Sequence, residues 1–292
     1  MENTFGGQGF FKDASGTLWL SDPEERFGFR STWKVNQVLC QVNSAFQEVA
    51  VVETEGFGKA LVLDGIVQTT EKDGFIYNEM ISHIPLATHP HPQDICIIGG
   101  GDCGVAREAV KYPSVRNVDM VEIDPVVVEV SRKYLPEVAG EGELDPRVQL
   151  HYEDGTLFIR NQSHVYDAVI VDSSDPVGPG AVLFEKDFYE DVYHSLKEDG
   201  LMVCQSESPV FHPDVLTRVH QSLKELFPVV RTYLATVPTY PGGIWSFTVA
   251  SKSYDPLQEG RERLQLKDNR YVNREIFDAC FQLPVYVREL LK

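Results

Sequence analysis

Ile95-Cys96-Ile97-Ile98-Gly99-Gly100-Gly101-Asp102-Cys103-Gly104-Val105-Ala106 is an apolar run that breaks into glycines and resumes in helix-forming residues. Gly99, Gly101 and Gly104 satisfy the GxGxxG spacing between a strand and a helix, a turn that brings backbone and a helix N-terminus close to a nucleotide or nucleoside. Glycine turns also arise for packing, so the spacing needs its context. That context is a run of short apolar strands alternating with helices, the pattern of a parallel sheet covered on both faces.

Reading outward, strands are expected at Asp94 to Ile98, Asn117 to Ile123, Val148 to Tyr152, Tyr166 to Val171, Gly200 to Gln205, Val229 to Thr236 and Trp245 to Ser251. Helical stretches separate most of them: Val105 to Lys111, Pro125 to Leu135, Gly155 to Asn161, Lys186 to Leu196 and Pro213 to Phe227. Before the His89-Pro90-His91-Pro92 break the text changes. Phe27 to Val35, Phe46 to Glu53 and Lys59 to Leu63 read as strands, with Gly56 and Gly58 in a hairpin turn, and residues 74 to 87 carry helical spacing. The fold class expected is α/β: a Rossmann-like, methyltransferase-type doubly wound sheet with a small N-terminal antiparallel β domain. The division is set at residues 1–80 and 81–292, and a length of 292 residues accommodates one large and one small domain.

In such a sheet, ligands sit beyond the carboxyl ends of the strands at the topological switch point. Acids collect there. Asp102 lies in the glycine loop, and Glu122 ends the next strand 21 residues after Gly101, where it can accept hydrogen bonds from ribose hydroxyls. Asp154-Gly155 follows the third strand, where a carboxylate could meet an adenine amino group. Asp172 and Asp175 follow the fourth. A dinucleotide would bring its pyrophosphate among these carboxylates and be repelled, whereas S-adenosylmethionine and its relatives carry adenine and ribose without phosphate and a cationic sulfonium. Two acids three residues apart beyond a buried strand call for solvent, a proton or a cation. Asp175 read alone also fits a helix cap or a turn. The Gly- and Pro-rich segment 176–184 fits either a lid or a plain connection, and Tyr240 fits either core or an aromatic wall of the site.

The 44 Asp and Glu exceed the 26 Lys and Arg, a formal net charge of -18. Nucleic acid is thereby an unsuited partner, and the surplus serves either solubility or attraction of a cationic substrate. No run approaches the roughly 18 apolar residues of a membrane span. The first residues carry no basic region followed by an apolar one, so the expected location is the cytoplasm. Five scattered Cys without CxxC spacing read as reduced thiols. The His residues form no HExxH pair, so no metal is expected. Cys103 beside Asp102 is not read as a nucleophile, since a neighbouring acid raises a thiol's pKa.

The ordered set Gly99-Gly100-Gly101-Asp102, Val121-Glu122-Ile123-Asp124, Asp154-Gly155, Asp172-Ser173-Ser174-Asp175-Pro176 and Pro238-Thr239-Tyr240-Pro241 resembles the spermidine synthase family of aminopropyltransferases. Leu63-Asp64-Gly65, Thr70-Glu71-Lys72-Asp73 and Tyr77 with Glu79-Met80 look like that family's N-terminal segment, and the likeness runs from about Phe27 to the C-terminus. The resemblance implies transfer of the aminopropyl group of decarboxylated S-adenosylmethionine, a co-substrate and not a cofactor, to putrescine. Spermidine and methylthioadenosine would be the products. It implies that Gln47, Glu122, Asp154, Gly155 and Pro179 hold the nucleoside, that Asp102 takes the donor's ammonium, and that Tyr77, Asp172, Asp175 and Tyr240 hold the diamine. Asp172 would be the proton acceptor and the protein a homodimer or homotetramer.

Three departures from the family pattern stand out. Cys103 replaces a glycine of the loop, Asp73-Gly74-Phe75 stands where DEF is common, and Asn78 stands at the amine end where His or Gln is usual. They bear on the alternatives, an amine N-methyltransferase using intact S-adenosylmethionine or a different acceptor amine. Related plant putrescine N-methyltransferases tend to lose the loop Asp that this chain keeps as Asp102. The chemistry needs in-line alignment and a deprotonated amine, with no oxyanion to stabilise. An alkyl amine near ~10.4 is poorly matched to a carboxylate near ~3.9. Closure of the 176–184 loop is expected to desolvate the pair and bring the two values together.

Overall fold

The structure is a computed structural model that describes residues 8–21, 28–176 and 178–292. The expected strand start at Phe27, the loop residue Val177 and the side chain of Pro179 lie outside the described residues. The first sheet runs in chain order: β1 (Phe10–Lys12), β2 (Leu18–Ser21), β3 (Thr32–Asn43), β4 (Glu48–Thr54), β5 (Gly58–Leu63) and β6 (Ile66–Thr70), each antiparallel to the next. The β4–β5 hairpin closes where expected, with Gly58 at φ +70° and the Thr54 hydroxyl donating to its carbonyl at 2.8 Å. Three strands lie beyond the expected set. β1, the edge strand, and β2 beside it have three and four residues, too short for an alternation to register. β6 follows Asp64 and Gly65, at φ +48° and +84°, the Asp-Gly pair that a two-residue hairpin loop favours.

α1 (Gly74–Thr88) is buried on nearly every face, as a helix enclosed by core on all sides must be. Met80, Ile81 and Ile84 join the apolar layer on one face of the second sheet, with Ile97, Ile170 and Val203. That sheet comprises β7 (Asp94–Gly99), β8 (Asn117–Val121), β9 (Val148–His151), β10 (Tyr166–Asp172), β11 (Leu196–Gln205), β12 (Val229–Thr236) and β13 (Ile244–Ser251), in the order β12-β13-β11-β10-β7-β8-β9. The helices between strands are α2 (Gly104–Ala109), α3 (Pro125–Tyr134), α4 (Pro136–Ala139), α5 (Gly155–Arg160), α6 (Lys186–Ser195) and α7 (Pro213–Leu226); α8 (Arg274–Ala279) and α9 (Val285–Leu290) close the chain. The opposite face carries its own layer, with Ile98, Val171, Tyr189 and Leu223. The sheet is thus doubly wound.

β7 through β11 are parallel, but β13 enters between β11 and β12 antiparallel to both. The wholly parallel sheet expected from the alternation is corrected here. Only residues 237–243 separate β12 from β13, whereas a parallel return needs a crossover of about a dozen residues or more. After β7 the chain moves outward to β8 and β9, then returns to lay β10 on β7's other side. The switch point therefore falls between Gly99 and Asp172, which are register partners. No described helix is long and apolar enough to cross a membrane.

Candidate functional site

The carboxyl ends of β7 to β11 open into a cavity of about 400 Å³, closed on its other side by Leu61, Leu63 and Gln68 of the first sheet. The glycine turn builds its floor. Gly99 and Gly100 take φ of +82° and +73°, a region only glycine enters without cost, and the Gly100 N–H donates to the Asp172 carbonyl at 3.0 Å. A Cβ on Gly101 would come within 2.7 Å of Val127 and 2.9 Å of the Glu122 carboxylate. Cys103 also lies at positive φ, +64°, a position that a glycine occupies without strain; its buried thiol is pushed up to about 12.

Asp102, Glu122, Asp154, Asp172, Asp175 and Glu207 all line this space, and no lysine or arginine is among the described lining residues. Asp102 accepts the Gly104 N–H at 2.7 Å, and burial raises its carboxyl above the usual range. Glu122 accepts the Asp124 N–H at 2.8 Å through one oxygen, and burial lifts it to about 7. Asp154 caps α5, accepting the Thr156 N–H at 2.8 Å and the Thr156 hydroxyl at 2.7 Å on the same oxygen. A Cβ on Gly155 would meet Ile98 at 2.6 Å, so the backbone here passes close to β7. Gln47 reaches across from the first sheet and donates to Asp124 at 3.0 Å; the same carboxylate oxygen accepts from Ser44 at 2.6 Å. Asp124 caps α3 with its other oxygen, so one acid ties the loop between β3 and β4 to the start of α3.

At the other end, burial and the charge of Asp102 raise Asp172 to about 8, while a hydrogen bond from Tyr77 pulls it back down. Burial and the Asp172 charge hold the Tyr77 phenol well above its ordinary value, so it stays a donor. The Tyr77 and Tyr240 rings meet edge to face, centroids 5.8 Å apart, and Tyr240 packs on Trp245 at 4.5 Å. The Tyr240 hydroxyl donates to the Gln68 carbonyl at 2.9 Å. Asp175 is half-buried and lines the same end.

Two expectations need revision. Asn78 was expected at the amine, but it is 1 % exposed and does not line the cavity. One residue on from Tyr77, the helix turns it toward α2, where its amide occupies the space a side chain on Gly104 would need. There it lies behind Asp102 and favours that carboxyl's ionised form. The raised Asp172 value, expected from loop closure, is already produced by burial and by Asp102. The 176–184 loop itself carries a 3-10 segment (Gly178–Phe184) that brings Gly180, Val182 and Leu183 to the cavity.

Gln205, Glu207 and His212 line the cavity and were not anticipated. Glu207 is fully buried at φ +66°, with His212 Nδ1 3.0 Å from its carboxylate. Gln205 ends β11 and Glu207 follows it on the same side of the sheet as Asp172, a strand-end position that marks both in the sequence, whereas His212 precedes α7 and no strand end marks it. A second grouping, His89, Asp167 and Asp199, has ligand-type atoms within 4.8 Å of one another at the opposite strand ends. Lys197 supplies the balancing charge there, 3.0 Å from Asp167, and His89 Nδ1 accepts the His91 N–H, which leaves the proton on the nitrogen facing the acids.

Residues 74–259 match the model of the spermine/spermidine synthase domain, and residues 18–71 that of the spermidine synthase tetramerisation domain. The chain is 49% identical to a polyamine aminopropyltransferase of Moorella thermoacetica over 89% of its length and 91% of that protein's. It is 44% identical to that of Bacillus subtilis, over 94% and 99%. The crystal structure of a spermidine synthase in complex with the transition-state analogue AdoDATO superposes with a TM-score of 0.90 at 37% identity, covering 94% of each chain. That of the Thermotoga maritima spermidine synthase gives 0.89 at 36%, with the same coverage.

Proposed function

The chain belongs to the spermidine synthase family of polyamine aminopropyltransferases, and we propose that its cavity transfers the aminopropyl group of decarboxylated S-adenosylmethionine to putrescine, giving spermidine and methylthioadenosine. The observation that carries this reading is the charge of the cavity, which is lined by carboxylates without a lysine or arginine among the described residues. A diamine and a donor bearing ammonium and sulfonium suit it; a phosphate or a carboxylate does not.

We assign Gln47, Glu122, Asp154, Gly155 and Pro179 to the nucleoside, Asp102 to the donor's ammonium, and Tyr77, Asp172, Asp175 and Tyr240 to the diamine. The acceptor nitrogen attacks the carbon bound to sulfur, the C–S bond breaks with its electron pair going to sulfur, and the thioether leaves neutral. Nitrogen must then lose one proton. Asp172 at about 8 narrows the gap to an amine near ~10.4 from about 6.5 pH units to about 2.4. Tyr77 donates to the Asp172 carboxylate and thereby favours the ionised form that accepts the proton. The N-terminal sheet, matched by a tetramerisation model, supports assembly as a homodimer or homotetramer, and five unpaired thiols suit the cytoplasm. We place the division between the two units ahead of α1 rather than at residue 80, because Gly74–Thr88 is one continuous helix whose Ile76, Met80 and Ile84 all pack in the second sheet's apolar layer. Purified protein should release methylthioadenosine from the decarboxylated donor only when putrescine is added; release at the same rate without an amine would contradict the transfer.

A further inference from the structure

We propose that Asp73 is a positioning residue for the acceptor-amine site, because its buried carboxylate locks the segment bearing Tyr240 to the start of the helix bearing Tyr77. The inference rests on the assignment of those phenols to the diamine. Asp73 stands at the N-cap of α1, where an aspartate ordinarily accepts an N–H of the first turn. Here it makes no such cap. One carboxylate oxygen instead accepts the Thr239 N–H at 2.8 Å, and the other accepts the hydroxyls of Thr239 and Thr70, each at 2.5 Å.

These bonds join three elements that meet at the cavity wall. Thr70 ends β6, whose Gln68 carbonyl holds the Tyr240 hydroxyl. Thr239 immediately precedes Tyr240, and Tyr77 lies about one helical turn beyond Asp73. The short 237–243 connection carries Gly242 and Gly243 at φ +73° and +71°, backbone freedom that needs an outside anchor to fix the ring. Asp73 is 4 % exposed and does not line the cavity, so it acts only through the two tyrosines. The three bonds set the distance between two phenols, of which one reaches Asp172.

The test uses the full chain and compares Asp73→Asn, Thr239→Val and Thr239→Ser, reading KM for putrescine, KM for the decarboxylated donor, and calorimetric affinity for putrescine with methylthioadenosine present. Asp73→Asn and Thr239→Val should raise the putrescine KM and weaken its affinity about tenfold, leave the donor KM within about twofold, and Thr239→Ser should restore both. Parallel loss for donor and amine, or a lower melting temperature with unchanged constants, would reduce Asp73 to a stabilising role and overturn the inference. If Asp73→Asn does not fold, the Thr239 pair decides alone. A wild-type protein that neither binds nor converts putrescine overturns the functional reading instead, while an active wild type matched by Thr239→Val overturns only this inference.

Discussion

The Asp172 carbonyl oxygen occupies the space where any residue other than glycine at position 99 would carry its Cβ. The two are register partners across the switch point, and the Gly100 N–H donates to that same oxygen at 3.0 Å. The glycine turn thus positions Asp172 as directly as it positions Asp102. Gly99→Ala adds a positive-φ penalty to a backbone clash, each costing about 1–3 kcal/mol. It should lower the melting temperature and cut turnover in the fraction that stays folded. Full turnover with an intact melting temperature would show that the turn relaxes without moving Asp172.

Asp172→Asn keeps the shape and removes the proposed proton acceptor. Turnover should fall roughly 10²–10⁴-fold, with donor affinity by calorimetry within about twofold of wild type. Unchanged turnover would remove Asp172 from the chemistry.

Asp172 and Glu122, raised to about 8 and about 7, make stability fall with pH. A carboxyl near ~3.9–4.3 when unfolded and higher when folded takes up a proton on folding between the two values. Its penalty on the folded state is therefore absent below about pH 4 and grows until the folded value is passed. The melting temperature should decline between about pH 5 and 8, and Asp172→Asn should decline less steeply over the same buffers. A variant slope equal to the wild type's would contradict the raised value. By the same argument, putrescine brings a cation that ionises Asp172, so binding near pH 7 should release protons, read as a buffer-dependent calorimetric enthalpy.

Asp102, which we assign to the donor's ammonium, has its carboxyl raised by burial. Asp102→Asn should weaken the decarboxylated donor by about 1.5–3 kcal/mol while leaving intact S-adenosylmethionine unchanged or tighter, since its carboxylate no longer meets a like charge. Competition binding of both donors checks this, and equal weakening of the two would place Asp102 elsewhere.

The second sheet was legible because β7 and β10 are short, buried apolar runs and each parallel strand is followed by a helix, and because the acids stand at strand ends, where a fold needs none for packing. The strands of the first sheet were harder to read. β3 extends eight residues past Val35 through half-exposed positions interrupted by two register shifts, so no clean alternation survives. Asp154 shows how a capping residue and a site residue look identical in sequence, since here it lines the cavity with the side chain that caps α5. Asn78 shows the reverse. Beside Tyr77 in the chain, it is turned by the helix into α2, and only a packed structure reveals that Gly104 leaves room for it. Asp73, an apparent helix cap by position, is bonded to a residue 166 positions away, which no local pattern reports.

Mass spectrometry of the amine product bears most directly on the central claim. The purified protein is incubated with putrescine and, in parallel, with decarboxylated or intact S-adenosylmethionine. An aminopropyl increment on putrescine with the decarboxylated donor alone is the predicted result; a methyl increment with the intact donor, or no increment from either, would contradict it.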